Sequence, residues 1–141
     1  MNLKALQEKL KSEDYTLVAQ IGDHLYTSKL RGIGPIINPM KDNQLFFQDA
    51  IIVDRVIGKA AAMLLALSQV QYVYAYVLSQ KAKDILDAYH IDYDYEELVD
   101  YIINRDHSGM CPMEATVYDM TDLNEALLAL TIKQKELMKQ Q

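Results

Sequence analysis

Apolar positions change their spacing along this chain, and each change marks an element. Leu3, Leu6 and Leu10 recur at helical intervals, a single greasy stripe on an otherwise polar segment. Tyr15 to Ile21 and His24 to Leu30 are rich in β-branched and aromatic residues, and Gly22-Asp23 between them predicts a two-residue hairpin turn. Arg31-Gly32-Ile33-Gly34-Pro35 breaks the alternation. Ile36 to Met40 is expected to form one helical turn before Pro39 interrupts it, and Lys41 to Gln48 reads as a connection. Asp49 to Val53 is nearly all apolar, the composition of a strand covered on both faces and central in its sheet. Ile57 to Leu67 carries Ala, Met and Leu around most of its circumference, so this helix is expected to be well buried.

From Gln71 to Leu78, Tyr72, Tyr74 and Tyr76 alternate with Val73, Ala75 and Val77, which predicts a strand. Ser79 is placed to cap a helix carrying Ala82, Ile85, Leu86 and Tyr89 on one stripe. Ile91 to Tyr95 alternates strictly, a strand wet on one face, with acids that discourage edge-to-edge association. Two strands joined by a helix should run parallel. Glu97 to Asn104 is expected to be helical and Arg105 to Gly109 a loop. Cys111-Pro112-Met113-Glu114 has the pattern of a helix start, Pro112 in the first position and Glu114 reaching back as a cap. Thr121 is expected to cap a last helix, with Lys133, Lys135 and Lys139 near its end.

Composition narrows the function more than the fold. At 141 residues one domain is expected, and the net charge of −6, from 14 basic and 20 acidic residues, disfavours nonspecific nucleic-acid binding. The one cysteine, Cys111, excludes an internal disulfide and any multi-cysteine metal site, and suits a reducing compartment. No apolar run approaches the ~20 residues that cross a bilayer, and the N-terminal segment reads as an amphipathic helix rather than a signal peptide. The expectation is a soluble, cytoplasmic protein.

Three blocks carry a family likeness: Val53 to Ala62, Tyr101 to Asp106, and Cys111 to Glu114, with Gly32-Ile33-Gly34-Pro35 fitting as well. With the order hairpin, strand, helix, strand, helix, strand, they resemble the cytidine deaminase-like fold. More closely, the chain resembles a small prokaryotic family of unknown function that has this fold without its zinc site. Pattern and resemblance together predict a single α/β domain over residues 1–141, with its core at about 14–117. The expected architecture is a three-layer α/β/α sandwich whose five-stranded mixed sheet carries an antiparallel N-terminal hairpin at one edge. Zinc deamination needs a His or Cys with a catalytic Glu at one helix start and two Cys at the next. Here those starts read Gly58-Lys59-Ala60-Ala61 and Ser79-Gln80-Lys81-Ala82, so neither a zinc ion nor deamination is expected.

Ligands of open α/β sheets sit beyond the carboxyl ends of the strands, against helix N-termini. That rule points to Asp54, Gly58, Lys59, Ser79, Gln80 and Lys81. Gly58-Lys59 sets a backbone amide beside an ammonium, a pairing that holds an anion, although a tight turn followed by a solvated lysine explains the same residues. Asn104-Arg105-Asp106 offers a bidentate cation next to a carboxylate, equally readable as a surface ion pair. The leading expectation is a protein that binds a nucleotide or another small anion. Lys59 and Arg105 would take the phosphate, with Asp54 and Asp106 on hydroxyl or amine groups. No cofactor is expected. The alternative is a transferase or hydrolase using the Cys111 thiol as nucleophile, or Asp106 and Glu114 as an acid–base pair. A third possibility is a structural or interaction dimer, for which the tyrosine-rich strand faces would supply a homodimer surface.

Overall fold

The computed structural model describes residues 2–104 and 106–139. Helix α1 (Leu3–Ser12) begins where the Asn2 side chain accepts from the Ala5 N–H at 2.9 Å, and it buries Leu6 and Leu10. The hairpin β1 (Leu17–Ile21) and β2 (His24–Ser28) closes in register from Ile21↔His24 to Leu17↔Ser28. Its turn holds Gly22 at φ +58°, a left-handed conformation that glycine adopts without steric cost.

Helix α2 (Gly34–Asp42) is longer than the single turn expected, with Pro39 inside it. A proline there deprives the carbonyl four residues back of its donor. That carbonyl belongs to Pro35, and the Tyr26 hydroxyl donates to it at 2.6 Å. The residue that repairs the helix comes from β2, which is why the local sequence did not foretell it. Tyr26 is then held edge-on against Phe46 and Phe47 at 5.1 and 5.8 Å between ring centres.

Strand β3 (Ile51–Ile57), helix α3 (Lys59–Leu67), strand β4 (Tyr72–Ser79), helix α4 (Gln80–Ala88) and strand β5 (Asp92–Val99) follow as two parallel crossover units. The sheet order is β2-β1-β3-β4-β5, with β1 antiparallel to both β2 and β3. The apolar β3 is central, as its composition required. Residues Glu97 to Val99, expected to be helical, extend β5 instead, because pairing with β4 continues as far as Ser79↔Val99. Beyond it, Ile103 bridges Met110. Helix α5 (Pro112–Val117) precedes α6 (Leu123–Lys139). The cap of α6 is Asp122, which accepts from Glu125 N–H at 2.9 Å, and not Thr121.

Two hydrophobic clusters separate the faces of the sheet. Helices α2 to α6 share the larger one, in which all of α3 from Lys59 to Ala66 is buried. Helix α1 packs alone over β1 and β3 on the other face, Leu6 and Leu10 against Val18 and Val53. No described helix is long and apolar enough to cross a membrane.

Candidate functional site

The carboxyl ends of β3 and β4 lie side by side at the centre of the sheet, so α3 and α4 open next to each other. Helix openings present unpaired N–H groups and partial positive charge. Gly58, the N-cap of α3, has no side chain to offer, and the missing acceptor comes from α5. Glu114 is 2% exposed. Its Oε1 accepts from Lys59 N–H at 2.9 Å and from Ser79 Oγ at 2.7 Å, and its Oε2 accepts from Ile102 N–H. The Ser79 hydroxyl in turn caps α4, accepting from Ala82 N–H at 3.2 Å. One carboxylate thus joins both helix openings to the segment that follows β5.

This geometry corrects the expected role of Glu114. It does not reach back to cap its own helix; it caps α3 from a distance of 55 residues in sequence. As an acid–base partner it is unsuited, since both of its oxygens are engaged within the protein. Glycine at 58 also leaves room for the clamp. A Cβ there would lie 2.8 Å from Ile102 Cγ1, forcing that side chain to shift, and 3.2 Å from Glu114 Oε1, a tight contact.

Two ammonium groups flank this carboxylate clamp. Lys59 Nζ donates to the carbonyls of Tyr118, at 2.8 Å, and Met120, at 2.6 Å. Lys81 Nζ donates to the same Tyr118 carbonyl at 2.8 Å and sits 3.6 Å from the centre of the Tyr118 ring. Sharing one acceptor puts the two nitrogens no more than 5.6 Å apart, the sum of the two 2.8 Å contacts. Burial, and then the positive charge of Lys81, hold the Lys59 ammonium below its ordinary pKa. Neither lysine forms an ion pair with a carboxylate among the described residues.

Asp54 lies deep in β3, 8% exposed, and its Oδ1 accepts from Val56 N–H at 3.2 Å. Burial raises its pKa from 3.8 to about 7 against the smaller opposing pull of backbone N–H groups and Arg55. Asn104 and Asp106 are used differently from the expected ligand contacts. Asn104 Oδ1 accepts from Ser108 N–H at 3.0 Å and Gly109 N–H at 3.3 Å, and Asp106 Oδ1 accepts from Ser108 N–H at 3.0 Å. These bonds hold the loop in shape, and those to Ser108 lower the Asp106 pKa. Arg105 lies outside the described residues. Cys111 is half-buried at the start of α5, its N–H donating to Ile102 at 2.8 Å.

The pairing of Lys59 with Lys81 has a signal in the sequence. Both helices carry a lysine and no acid in the first turn, against the preference set by the helix dipole. Tyr118, whose carbonyl gathers the two, had no such signal, since its role is purely one of main-chain position.

These features define an α/β domain with a five-stranded mixed sheet and a carboxylate clamp where two helices open. The chain belongs to a family described as a domain of unknown function, DUF1893, whose model matches residues 5–133. A crystal structure of a DUF1893 family protein from Thermotoga maritima is similar to it, with a TM-score of 0.84 and 26% sequence identity. That match covers 93% of this chain and 88% of the Thermotoga maritima chain. No curated protein matches.

Proposed function

We propose that this domain is a zinc-less member of the cytidine deaminase-like folds and binds a small anion, such as the phosphate of a nucleotide, between Lys59 and Lys81. The likeness to deaminases rests on element order. The chemistry at the helix starts departs from them: Lys, Ala, Ser and Gln stand where a deaminase needs imidazole or thiolate and a proton-carrying Glu. Among the described residues, no group of three or more His, Cys, Asp and Glu side chains is placed to hold a metal ion. Zinc does not fit these residues.

The observation that carries the reading is the convergence of two ammonium groups on one carbonyl oxygen. Like charges so close raise each other's free energy unless an anion neutralises them. Each ammonium has three N–H donors. Lys59 places two on carbonyls and Lys81 one, which leaves three for an incoming ligand. The charges of Asp119 and then Glu114 offset part of this repulsion at Lys59, but neither carboxylate forms an ion pair with Lys59 or Lys81 among the described residues.

Inorganic phosphate and nucleoside monophosphates should therefore raise the unfolding midpoint. A ligand present at a hundredfold excess over Kd adds about 2.7 kcal/mol. Lys81→Gln should abolish that gain while leaving the ligand-free protein folded, because Lys81 is only half-buried. Affinity should weaken as the solution is made alkaline, since Lys59 loses its proton earlier than an ordinary lysine. A midpoint indifferent to phosphate and nucleotides, or a gain preserved in Lys81→Gln, would overturn the proposal.

A further inference from the structure

We infer that the chain associates head to tail, the outer face of α6 in one copy lying on the open β4–β5 face of the next. On the α1 side of the sheet, α1 packs mainly against β1 and β3; it touches β4 at Tyr74 and Tyr76, with Lys11 Nζ 4.9 Å from the Tyr76 ring centre, and leaves the rest of the β4–β5 face open. Register and alternation set Tyr72, Tyr74 and Tyr76 of β4 beside Asp92, Asp94 and Glu96 of β5 on that side. The tyrosines are half-exposed and the three acids exposed. The Tyr72 hydroxyl donates to Asp94 at 2.6 Å, and the Tyr74 and Tyr76 rings pack edge to face with centres 5.1 Å apart. An open groove of about 470 Å³ runs between this floor and the α1 wall, where Lys4, Glu8 and Lys11 stand. The sheet thus presents an aromatic surface with negative charge along its β5 side and the lysines of α1 along the other.

The chain also displays the complement of that surface. Helix α6 has two stripes. The inner one, with Leu123, Ala126, Leu127, Leu130 and Leu137, joins the large core. The outer one places Leu128, Ile132, Lys135 and Lys139 at successive intervals of four, three and four residues, one continuous helical line. Leu128 is 65% exposed, Ile132 51% and the flanking Met138 63%. Single exposed apolar residues are ordinary, but an aligned row of them ending in lysines marks a contact surface. Neither Lys135 nor Lys139 is ion-paired among the described residues. Leucine, isoleucine and methionine fit the tyrosine floor, and the two lysines meet the acids of β5. The lengths also agree. The exposed line from Leu128 to Lys139 spans about 18 Å at ~1.5 Å per residue, and Asp92 to Glu96 about 17 Å at ~3.3 Å per residue.

Because α6 and the open face lie on opposite sides of the sheet, one copy cannot offer both to the same partner. The contact is heterologous and builds a ring or an open chain, not a two-fold dimer. Sedimentation velocity at rising concentration and low salt should show assembly beyond the monomer. Asp92→Lys with Glu96→Lys disables the sheet face and keeps the Tyr72–Asp94 bond; Leu128→Glu with Ile132→Glu disables the helix. All four positions are exposed, so the fold should tolerate both changes. Each variant alone should remain monomeric, and an equal mixture should form a dimer of one of each and nothing larger. A wild-type protein monomeric into the millimolar range, or variants that fail to complement, would overturn the proposal. Binding of a lysine-rich peptide to a monomeric wild type would likewise overturn it, in favour of a foreign basic partner.

Discussion

Replacing Glu114 by alanine is expected to destabilise the fold by about 3–5 kcal/mol, the usual cost of removing one side of a buried charged network. The substitution strands three donors at once: the first N–H of α3, the Ser79 hydroxyl and the Ile102 N–H. It also removes the negative charge that both helix openings face. Glutamine preserves the volume but turns an amide N–H towards one of those donors, so Glu114→Gln should fall between wild type and alanine. Midpoints of urea unfolding, with the slope checked for constancy, measure both. A loss below 1 kcal/mol for alanine would show that the clamp contributes little.

Asp54→Asn is expected to act in the opposite direction. In the unfolded chain the carboxyl ionises near pH 4; in the folded chain burial holds it protonated up to about 7. Between those values the folded state carries the extra proton, so stability falls as pH rises through the interval. At about 1.4 kcal/mol per pH unit, the cost above pH 7 is on the order of 4 kcal/mol. Asparagine removes the cost and keeps an oxygen for the Val56 N–H. At pH 8 the variant should therefore be more stable than wild type by up to about 4 kcal/mol, and at pH 4 the two should be close. Unfolding of both proteins at the two pH values decides the matter. A variant less stable than wild type at pH 8 would mean that Asp54 is solvated or paired in the fold.

Much of the architecture was legible because the periodic signals were strong. The apolar Ile51-Ile52-Val53 run announced a central strand, Gly22-Asp23 a hairpin, and Ser79 the opening of α4. The failures share a cause. Pro39 ought to have ended α2, but Tyr26 from another strand supplies the lost donor. Glu97 to Val99 lacks a clean strand pattern, and pairing with β4 decides its conformation. Gly58 and Lys59 open α3, where the strand-to-helix pattern put them, but their relation to Glu114 was not legible. A cap supplied by a different helix leaves no local spacing to detect. Glu114 accordingly resembled a cap for α5, since Cys111-Pro112-Met113-Glu114 satisfies that rule on its own. The convergence of Lys59 and Lys81 on Tyr118 depends on how three helices meet, a property of the assembled fold.

That α3, α4 and the segment after β5 are held together by one carboxylate is most directly tested by amide hydrogen exchange read residue by residue. In the wild-type protein, Lys59 and Ile102 N–H should be protected to a degree comparable with Val53 and Ala75 in the central strands. In Glu114→Ala both should lose protection relative to those strand amides, and lose it together. Exchange at Lys59 and Ile102 that keeps pace with Val53 and Ala75 in both proteins would contradict the clamp.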